Sequence, residues 1–171
     1  MKIAYKHLVR HIVSNPSIEE ISNKFFQLGH EHEIENDIFD MELTPNRGDC
    51  LSVKGLLREL KLFYEVSSID LEYEKEINPL SFNFKNNAEN ECPYISFLKI
   101  EIEEIPSSYN GSLDDYFVDL NVKKNNFFTD VSNYLSYETG QPTHCYDASK
   151  LGDKLSLNFI EDDCSFETLL D

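Results

Sequence analysis

The chain has 171 residues, of which 32 are acidic and 15 are basic, so its formal net charge at neutral pH is −17. This charge opposes binding to nucleic-acid phosphates, which proteins usually contact through clustered Lys and Arg side chains. The hydrophobic fraction of 40% supports a folded core and excludes wholesale disorder, and no apolar run is long enough to span a membrane.

Residues 1–66 are predicted to form a small helix-rich domain. A helix is expected to begin after Ser17, because Ser17 and Glu20 have the spacing of a capping box, and Gly29 supplies its C-terminal stop. Apolar and charged residues then alternate over residues 39–43, and this period of two predicts a half-buried strand.

The turn after this strand contains Pro45, Asn46, Arg47 and Asp49. Pro45 fixes a backbone angle, Asn46 and Asp49 can bind local amides, and Arg47 can bind a carboxylate. These four residues are therefore predicted to form a structural motif that leads into a second amphipathic helix. Gly55 lies inside that helix, where a glycine is unfavourable, so we expect a packing reason for it.

The rest of the chain is predicted to contain a polar linker over residues 67–80 and a domain with a mixed β-sheet over residues 81–171. The fold class is therefore α+β, with the second domain incomplete. The predicted strands lie at residues 80–84, 98–102 and 155–159, and the predicted helix at residues 130–139.

The four cysteines indicate neither a metal site nor a disulfide framework. Their separations match no zinc-binding pattern, and the N-terminus resembles no secretion signal, so a cytoplasmic location without disulfides is expected. His144 and Cys145 are neighbours, but adjacent residues on an extended chain point in opposite directions. Their adjacency is therefore poor evidence for a thiol nucleophile.

Four stretches carry a pattern that is more specific than any periodicity. They read ELTPNRGDCLSVKGLLRE at residues 42–59, ECPY at residues 91–94, NNFFTDVSNY at residues 125–134 and GQPTHCYD at residues 140–147. The first resembles the segment that closes the first domain of the bacterial phenylalanyl-tRNA synthetase beta subunit. The others resemble the signature of its B3/B4 editing domain, and further similarity at residues 166–169 extends the resemblance over nearly the whole chain.

The resemblance implies a role in tRNA editing. In this family the beta subunit partners an alpha subunit that charges tRNA with phenylalanine, and the editing domain hydrolyses wrongly attached tyrosine. Editing is needed because a pocket for an apolar side chain rejects an added hydroxyl only weakly. The family's editing histidine falls on His144 and a hydroxyl-bearing position falls on Ser132, while Asn126, Asn133 and Gln141 are expected to contact the substrate.

Several departures from the family pattern imply that the chain alone is inactive. Val122 stands where an Arg is usual, and the Arg of the C-P-R-Y motif is also missing. The family's editing glutamate lies beyond the end of this chain. Only a short connection joins Gly29 to Glu42, so the inserted oligonucleotide-binding barrel that binds tRNA is absent.

The resemblance also sets the expected ligands. The ATP and magnesium sites belong to parts of the family enzyme that these residues do not include, so no cofactor is expected in this chain. tRNA is expected to bind only within the assembled enzyme, and neither DNA nor a membrane is an expected partner.

Two other functions remain open at the level of sequence. The chain could be a non-catalytic assembly module whose acidic surface binds another protein. It could also be a free-standing deacylase, which would need Asp130 or Asp147 to replace the missing glutamate. Whether Asp171 is a natural terminus stays open as well.

Overall fold

Residues 1–67, 76, 79–152, 154–161 and 163–165 are described by the computed structural model. The predicted α+β class is confirmed, because helices and strands both occur. The chain divides into a core unit (residues 1–73 and 104–145) and a sheet unit (residues 74–103 and 146–171). Nowhere in the described part of the chain is a helix long and apolar enough to cross a membrane.

The core unit contains a three-stranded antiparallel sheet in which the third strand pairs with both others. Asn36 and Asp37 join the second strand to the third with φ angles of 49° and 62°. Both angles are positive, as a two-residue hairpin turn that follows the natural twist of the strands requires. The strands are β1 (Lys2–Ala4), β2 (Glu31–Glu35) and β3 (Ile38–Glu42).

The inner face of β3 is apolar, as the alternation predicts. Phe39 and Met41 are buried, whereas Asp40, which lies between them, is exposed. The ring of Phe25 meets that of Phe39 edge to face at a centroid distance of 5.4 Å. Phe25 and Ile21 are the buried residues of α2 (Ile18–Gln27), so this helix packs its apolar face against the sheet.

Both ends of α2 confirm the sequence prediction. The Ser17 hydroxyl accepts the Glu20 amide at 3.2 Å, and the Glu20 carboxylate accepts the Ser17 amide at 2.7 Å. These two bonds satisfy amides that a helix start would otherwise leave unpaired. Gly29 ends the helix region with a φ of +82°, a backbone conformation that residues with a Cβ rarely adopt.

The turn after β3 leads into α3 (Val53–Leu60), which the Ser52 hydroxyl caps by accepting the Gly55 amide at 2.9 Å. The packing reason expected for Gly55 is present. A Cβ on this residue would lie 2.2 Å from the backbone oxygen of Asp49, so only glycine lets the helix start approach the turn. The helix buries Val53, Leu56, Leu57 and Leu60 in the core.

Among the described residues, the core unit has three further α-helices. The predicted helix at residues 130–139 is confirmed, although it begins three residues earlier, and Gly140 closes it in the left-handed conformation with a φ of +77°. The other two helices, at residues 5–9 and 111–119, were not predicted. The three are α1 (Tyr5–Val9), α4 (Gly111–Asp119) and α5 (Phe127–Thr139).

The described strands of the sheet unit are β4 (Asn83–Asn86) and β5 (Lys154–Leu157), which pair in parallel with Phe84 opposite Leu155. The rings of Phe84 and Phe97 lie 4.7 Å apart. The strands predicted at residues 80–84 and 155–159 each overlap one of these strands, but both bounds of each prediction differ from those of the structure.

The strand predicted at residues 98–102 is wrong. The structure gives this segment no strand, and Leu98, Ile100 and Ile102 are 64%, 67% and 43% exposed. A strand needs a neighbour to accept and donate its backbone hydrogen bonds, and an alternating pattern does not supply one. No described strand pairs with this segment.

The predicted domain boundaries at residues 1–66 and 81–171 stay a prediction. Most of the predicted linker, residues 67–80, lies outside the described residues. The structure groups residues 104–145, which include α4 and α5, with the N-terminal residues. The helix expected in the second domain therefore belongs to the core unit.

Candidate functional site

The start of α5 is built by the asparagine pair of the predicted editing motif. Asn126 is the N-cap of the helix, and its side-chain oxygen accepts the Thr129 amide at 3.1 Å. Its side-chain nitrogen donates to the Thr129 hydroxyl at 2.9 Å. Asn126, predicted to bind substrate, thus uses both ends of its amide to fix the first turn of the helix.

Asp130, four residues after Asn126 in the same motif, is fully buried beneath the helix start. Its carboxylate accepts the Tyr109 hydroxyl at 2.7 Å and the Asn125 amide at 2.9 Å and 3.2 Å. Burial and this carboxylate together raise the pKa of Tyr109 to about 12, so the hydroxyl keeps its proton and remains a donor. Asp130 therefore holds the approach to α5 in place.

The two predicted catalytic residues lie in different surroundings. Ser132 is half-buried on α5, and its hydroxyl oxygen lies 3.6 Å from the Cys145 sulfur. The Cys145 thiol also points at the Phe128 carbonyl, at 3.8 Å. His144 is exposed. The structure thus brings Ser132 together with Cys145, and the editing role of Ser132 and His144 stays a prediction.

The remaining predicted substrate residues, Asn133 and Gln141, are exposed. The backbone of Gln141 fixes the turn after α5: its amide donates to the Thr139 hydroxyl at 3.1 Å, and its carbonyl accepts the Ser136 hydroxyl at 3.3 Å. Neither of these hydrogen bonds involves the side chain of Asn133 or Gln141. Substrate binding by these two side chains stays a prediction.

Asp147, the second carboxylate considered for a deacylase, belongs to the sheet unit and is exposed. It accepts the Ser149 hydroxyl at 2.6 Å and the Ser149 amide at 3.0 Å. These bonds, together with nearby Lys150, lower the pKa of Asp147. A carboxylate with a lowered pKa is a weak proton acceptor, so Asp147 is poorly suited to act as a general base.

The predicted structural motif of Pro45, Asn46, Arg47 and Asp49 forms an ion-pair cluster at the turn before α3. Pro45 and Asn46 are exposed. Arg47 donates to both carboxylate oxygens of Asp49, at 3.0 Å and 3.2 Å, and to Glu59 at 2.9 Å. Arg47, the largest influence, and Arg58 lower the pKa of Asp49 to about 2, which keeps its carboxylate charged.

Three side chains at or near this turn have the chemistry of metal ligands. One possible ligand atom from each of His30, Cys50 and Glu59 lies within 4.8 Å of the others. However, the Arg47 guanidinium contacts the Cys50 sulfur and the Glu59 carboxylate, each at 2.9 Å. Burial also raises the pKa of the Cys50 thiol, which disfavours the thiolate that a metal requires. Arg47 therefore links two of the three possible ligands, Cys50 and Glu59, to each other.

A buried polar network that the sequence did not reveal joins α1 to α4 and α5. His7 is buried, its Nδ1 lies 2.8 Å from the Tyr137 hydroxyl, and its Nε2 lies 2.9 Å from the Asp119 carboxylate. Arg10 adds a contact with the Glu138 carboxylate at 3.4 Å. No local pattern signals this network, because the two residues of each contact are separated by more than a hundred residues of sequence.

Comparison with known proteins gives the family context of these features. Residues 100–171 match the model of the B3/4 domain family. The phenylalanine--tRNA ligase beta subunit of Rickettsia bellii (strain RML369-C) is 34% identical over 122 residues, which cover 70% of this chain and 14% of the relative. That of Ehrlichia ruminantium (strain Gardel) is 28% identical over 171 residues, which cover 92% of this chain and 20% of the relative.

The chain is homologous to phenylalanine--tRNA ligase beta subunits. This confirms the family resemblance seen in the sequence. The B3/4 match contains α4, α5 and two of the three stretches that resemble the editing-domain signature, at residues 125–134 and 140–147. The chain spans no more than one fifth of the length of these two beta subunits, so what the whole protein does is a separate question.

Proposed function

We propose that the chain is the N-terminal part of a phenylalanine--tRNA ligase beta subunit. In this role it is a structural segment of the enzyme that charges tRNA with phenylalanine, and it contributes part of the site that hydrolyses mischarged tyrosyl-tRNA. By itself it is inactive. The observation that carries the proposal is that two residues of the editing-domain signature have structural contacts. Asn126 and Asp130 shape the start of α5 through hydrogen bonds with Thr129 and Tyr109.

The same geometry supports inactivity of the isolated chain. Ester hydrolysis needs a base that reaches the attacking water and donors that stabilise the developing negative charge. Here the carboxylate of Asp130 is buried and already occupied by Tyr109 and Asn125. The Ser132 hydroxyl faces the Cys145 sulfur. The missing parts of the site are expected in the remainder of the beta subunit.

The expected partners follow from the family. The alpha subunit is the proposed partner, in the cytoplasm, and ATP and magnesium act at sites outside this chain. tRNA binding by the isolated chain should be weak, because a net charge of −17 leaves few positive groups to neutralise phosphates. Fluorescence anisotropy with labelled tRNA checks this, and tight binding that weakens steeply with salt would contradict it.

The direct test of the structural role is a chimera. The aligned segment of the Ehrlichia ruminantium beta subunit is replaced by this chain, and the product is co-expressed with the alpha subunit of that organism. We expect the chimera to assemble with the alpha subunit and to charge tRNA with phenylalanine. A chimera that is folded by circular dichroism but does not bind the alpha subunit would contradict the proposal.

Deacylation assays test the catalytic part of the proposal. The isolated chain, mixed with tyrosyl-tRNA of the phenylalanine-specific type, should release tyrosine no faster than buffer alone. The intact Ehrlichia ruminantium enzyme is the positive control. Rapid release that is lost in His144→Ala but kept in the neighbouring variant Tyr146→Ala would favour the free-standing deacylase instead.

A further inference from the structure

Three side chains around the turn before α3 lie close enough together to bind one ion. We call His30, Cys50 and Glu59 the three-ligand cluster. His30 Nε2 lies 3.9 Å from the Glu59 carboxylate and 4.0 Å from the Cys50 sulfur, and all three ligand atoms lie within 4.8 Å of one another. In a tetrahedral zinc site, metal bonds of about 2.0 to 2.3 Å place ligand atoms about 3.3 to 3.6 Å apart. Shifts of about 1 Å or less would therefore bring these atoms onto one zinc ion.

The imidazole of His30 is buried without a close partner for its Nε2 atom. The His30 side chain is 4% exposed. Among the described residues, the polar contacts of Nε2 are the two just given, and both are longer than an ordinary hydrogen bond. Buried polar groups are normally paired more closely than this. His30 therefore brings a nitrogen with unused bonding capacity to Cys50 and Glu59.

Two of the three ligands already have the protonation state that a metal needs. Burial, followed by Arg47, lowers the pKa of His30, so its imidazole is neutral at pH 7 and keeps a lone pair. Burial raises the pKa of Glu59, but Arg47 and Arg58 outweigh it and lower the pKa overall, so its carboxylate is charged. Cys50 is the exception, because burial raises the pKa of its thiol. A metal ion overcomes this cost, since a coordinating thiol loses its proton.

A positive group already lies among these ligands. One terminal guanidinium nitrogen of Arg47 is 2.9 Å from the Cys50 sulfur and 2.9 Å from the Glu59 carboxylate. The Nε of Arg47 separately donates to Asp49 at 3.0 Å, and the side chain is 29% exposed. A small rotation can therefore withdraw the terminal nitrogen while the bond from Nε to Asp49 remains. An ion can replace this nitrogen without leaving Arg47 unpaired.

The donor set determines which kind of ion fits. A thiolate, an imidazole and a carboxylate are ligands that Zn²⁺ takes in tetrahedral sites, and three protein ligands leave the fourth position to water. Mg²⁺ and Ca²⁺ prefer oxygen ligands and gain little from sulfur and nitrogen. An ion would enter beside Glu59, whose side chain is 18% exposed, whereas His30 and Cys50 are buried. The three-ligand cluster therefore fits Zn²⁺ better than Mg²⁺ or Ca²⁺.

We propose that His30, Cys50 and Glu59 form a zinc site in which Arg47 competes with the metal. When zinc binds, the terminal nitrogen of Arg47 moves away, the Cys50 thiol gives its proton to solvent, and a zinc–sulfur bond forms. The bound ion joins the start of β2 to the turn and to α3. The cysteine spacings could not indicate such a site, because only one of its ligands is a cysteine. This inference goes beyond the proposed function and does not depend on it.

Isothermal titration calorimetry of the full chain tests whether the site exists. The chain is treated with a chelator, dialysed and titrated with Zn²⁺, and Mg²⁺ is titrated in parallel. We expect one zinc ion per chain, bound at least about a hundredfold more tightly than Mg²⁺. Zinc should also raise the urea midpoint, because it binds the folded state only.

Cysteine variants locate the metal. Cys50→Ser should weaken zinc binding by at least about tenfold, because the thiolate ligand is lost. Cys145→Ser removes an exposed thiol of the same unit and should leave the affinity unchanged. Cobalt(II) gives a second measurement, since a cobalt–thiolate bond absorbs through charge transfer from sulfur to metal. This absorption should appear in the parent chain and in Cys145→Ser and be missing in Cys50→Ser.

Arg47→Met tests the competition. It should raise the affinity for zinc by about tenfold or more, because the positive charge that opposes the ion is removed. Lys61→Met removes an exposed positive charge from the region just after α3 and should change the affinity by less than about threefold, because solvent and salt screen that charge. If Arg47 acted only by holding the turn in place, Arg47→Met would weaken zinc binding. Circular dichroism checks that each variant is folded.

Three outcomes would overturn the inference. They are the absence of saturable zinc binding by the parent chain, a cobalt–thiolate absorption that persists in Cys50→Ser, and weaker zinc binding by Arg47→Met. The chimera and deacylation experiments do not involve zinc. Failure of the zinc site would therefore leave the proposed function standing, and failure of the chimera would leave the zinc site standing.

Discussion

The core unit and the sheet unit are stabilised to very different degrees. Among the described residues, Ala88 is the only buried apolar residue of the sheet unit, whereas the core unit buries a continuous cluster that includes Phe25, Phe39 and Leu60. The B3/4 family match at residues 100–171 covers parts of both units. Sequence similarity therefore identifies a domain of common ancestry, but it does not show which residues of that domain fold stably within this chain.

The largest expected difference between the units is the effect of removing an aromatic ring. Phe25→Ala should lower the free energy of unfolding by about 4 kcal/mol, because the ring is fully buried against Phe39. Phe84→Ala is the matched variant in the sheet unit and should change it by less than about 1 kcal/mol. Urea denaturation followed by circular dichroism measures both, and equal effects would contradict the comparison.

Gly55 tests the tight approach of α3 to the turn. Gly55→Ala should cost about 3 kcal/mol, because its new methyl group would lie 2.2 Å from the Asp49 carbonyl oxygen and force the backbone apart. Gly48→Ala lies in the same turn with no atom within 4 Å of the added methyl group, so it serves as the control. A shift in urea midpoint of similar size for both variants would sink this explanation.

Asp130 tests whether the editing-domain signature supports the core unit. Asp130→Ala should cost about 2 kcal/mol, because the Tyr109 hydroxyl and the Asn125 amide lose the buried carboxylate that accepts their hydrogen bonds. The control, Asp114→Ala, removes an exposed pair with Lys124 and should cost under about 1 kcal/mol. Thermal denaturation gives the ranking, and a neutral Asp130→Ala would show that the motif has another purpose.

The pH dependence of stability should come mainly from the core unit. Burial, more than any other influence, lowers the pKa of His7 below its ordinary value of 6.5; Arg10 adds to this, and Asp119 opposes it. The folded state then binds fewer protons than the unfolded state. The stability that His7 contributes is therefore present above pH 6.5 and is lost as the pH falls below it. His11 and His30 shift in the same direction, also through burial.

Urea midpoints at about pH 7.5 and about pH 5.5 test this sign. Stability should be lower at the acidic pH, and His7→Gln should reduce the difference between the two conditions. Tyr137→Phe removes a hydrogen bond from His7 without removing the titrating ring, so it should lower both midpoints and keep the difference. An increase in stability on acidification would contradict the assignment. Glu138, whose pKa burial raises, acts in the opposite direction as the pH rises above 4.5.

Features that depend on nearby residues could be predicted from the sequence. The capping box of Ser17 and Glu20, the stops at Gly29 and Gly140, and the special need for Gly55 all follow from local backbone geometry. Each involves residues within a turn or two of one another. The chemistry of the local sequence therefore determines them.

Features that depend on distant partners could not be predicted. The strand β2 reads EHEIE and shows little hydrophobic alternation, so its sequence alone does not indicate a strand. It is a strand because it pairs with β3. The pattern at residues 98–102 shows the reverse case, in which the alternation is clear but no described strand pairs with the segment. At the candidate site, the sequence named Ser132 and His144, but only the folded backbone shows that Cys145 lies next to the Ser132 hydroxyl.

The central claim is that the core unit folds stably within this chain and the sheet unit does not. Amide hydrogen exchange of the isolated chain tests it most directly. We expect the amides of β3 and α5 to exchange at least about a hundredfold more slowly than those of β4 and β5, because a region's exchange rate reflects its own opening free energy. Equal protection of β4, β5 and the core unit would contradict the account.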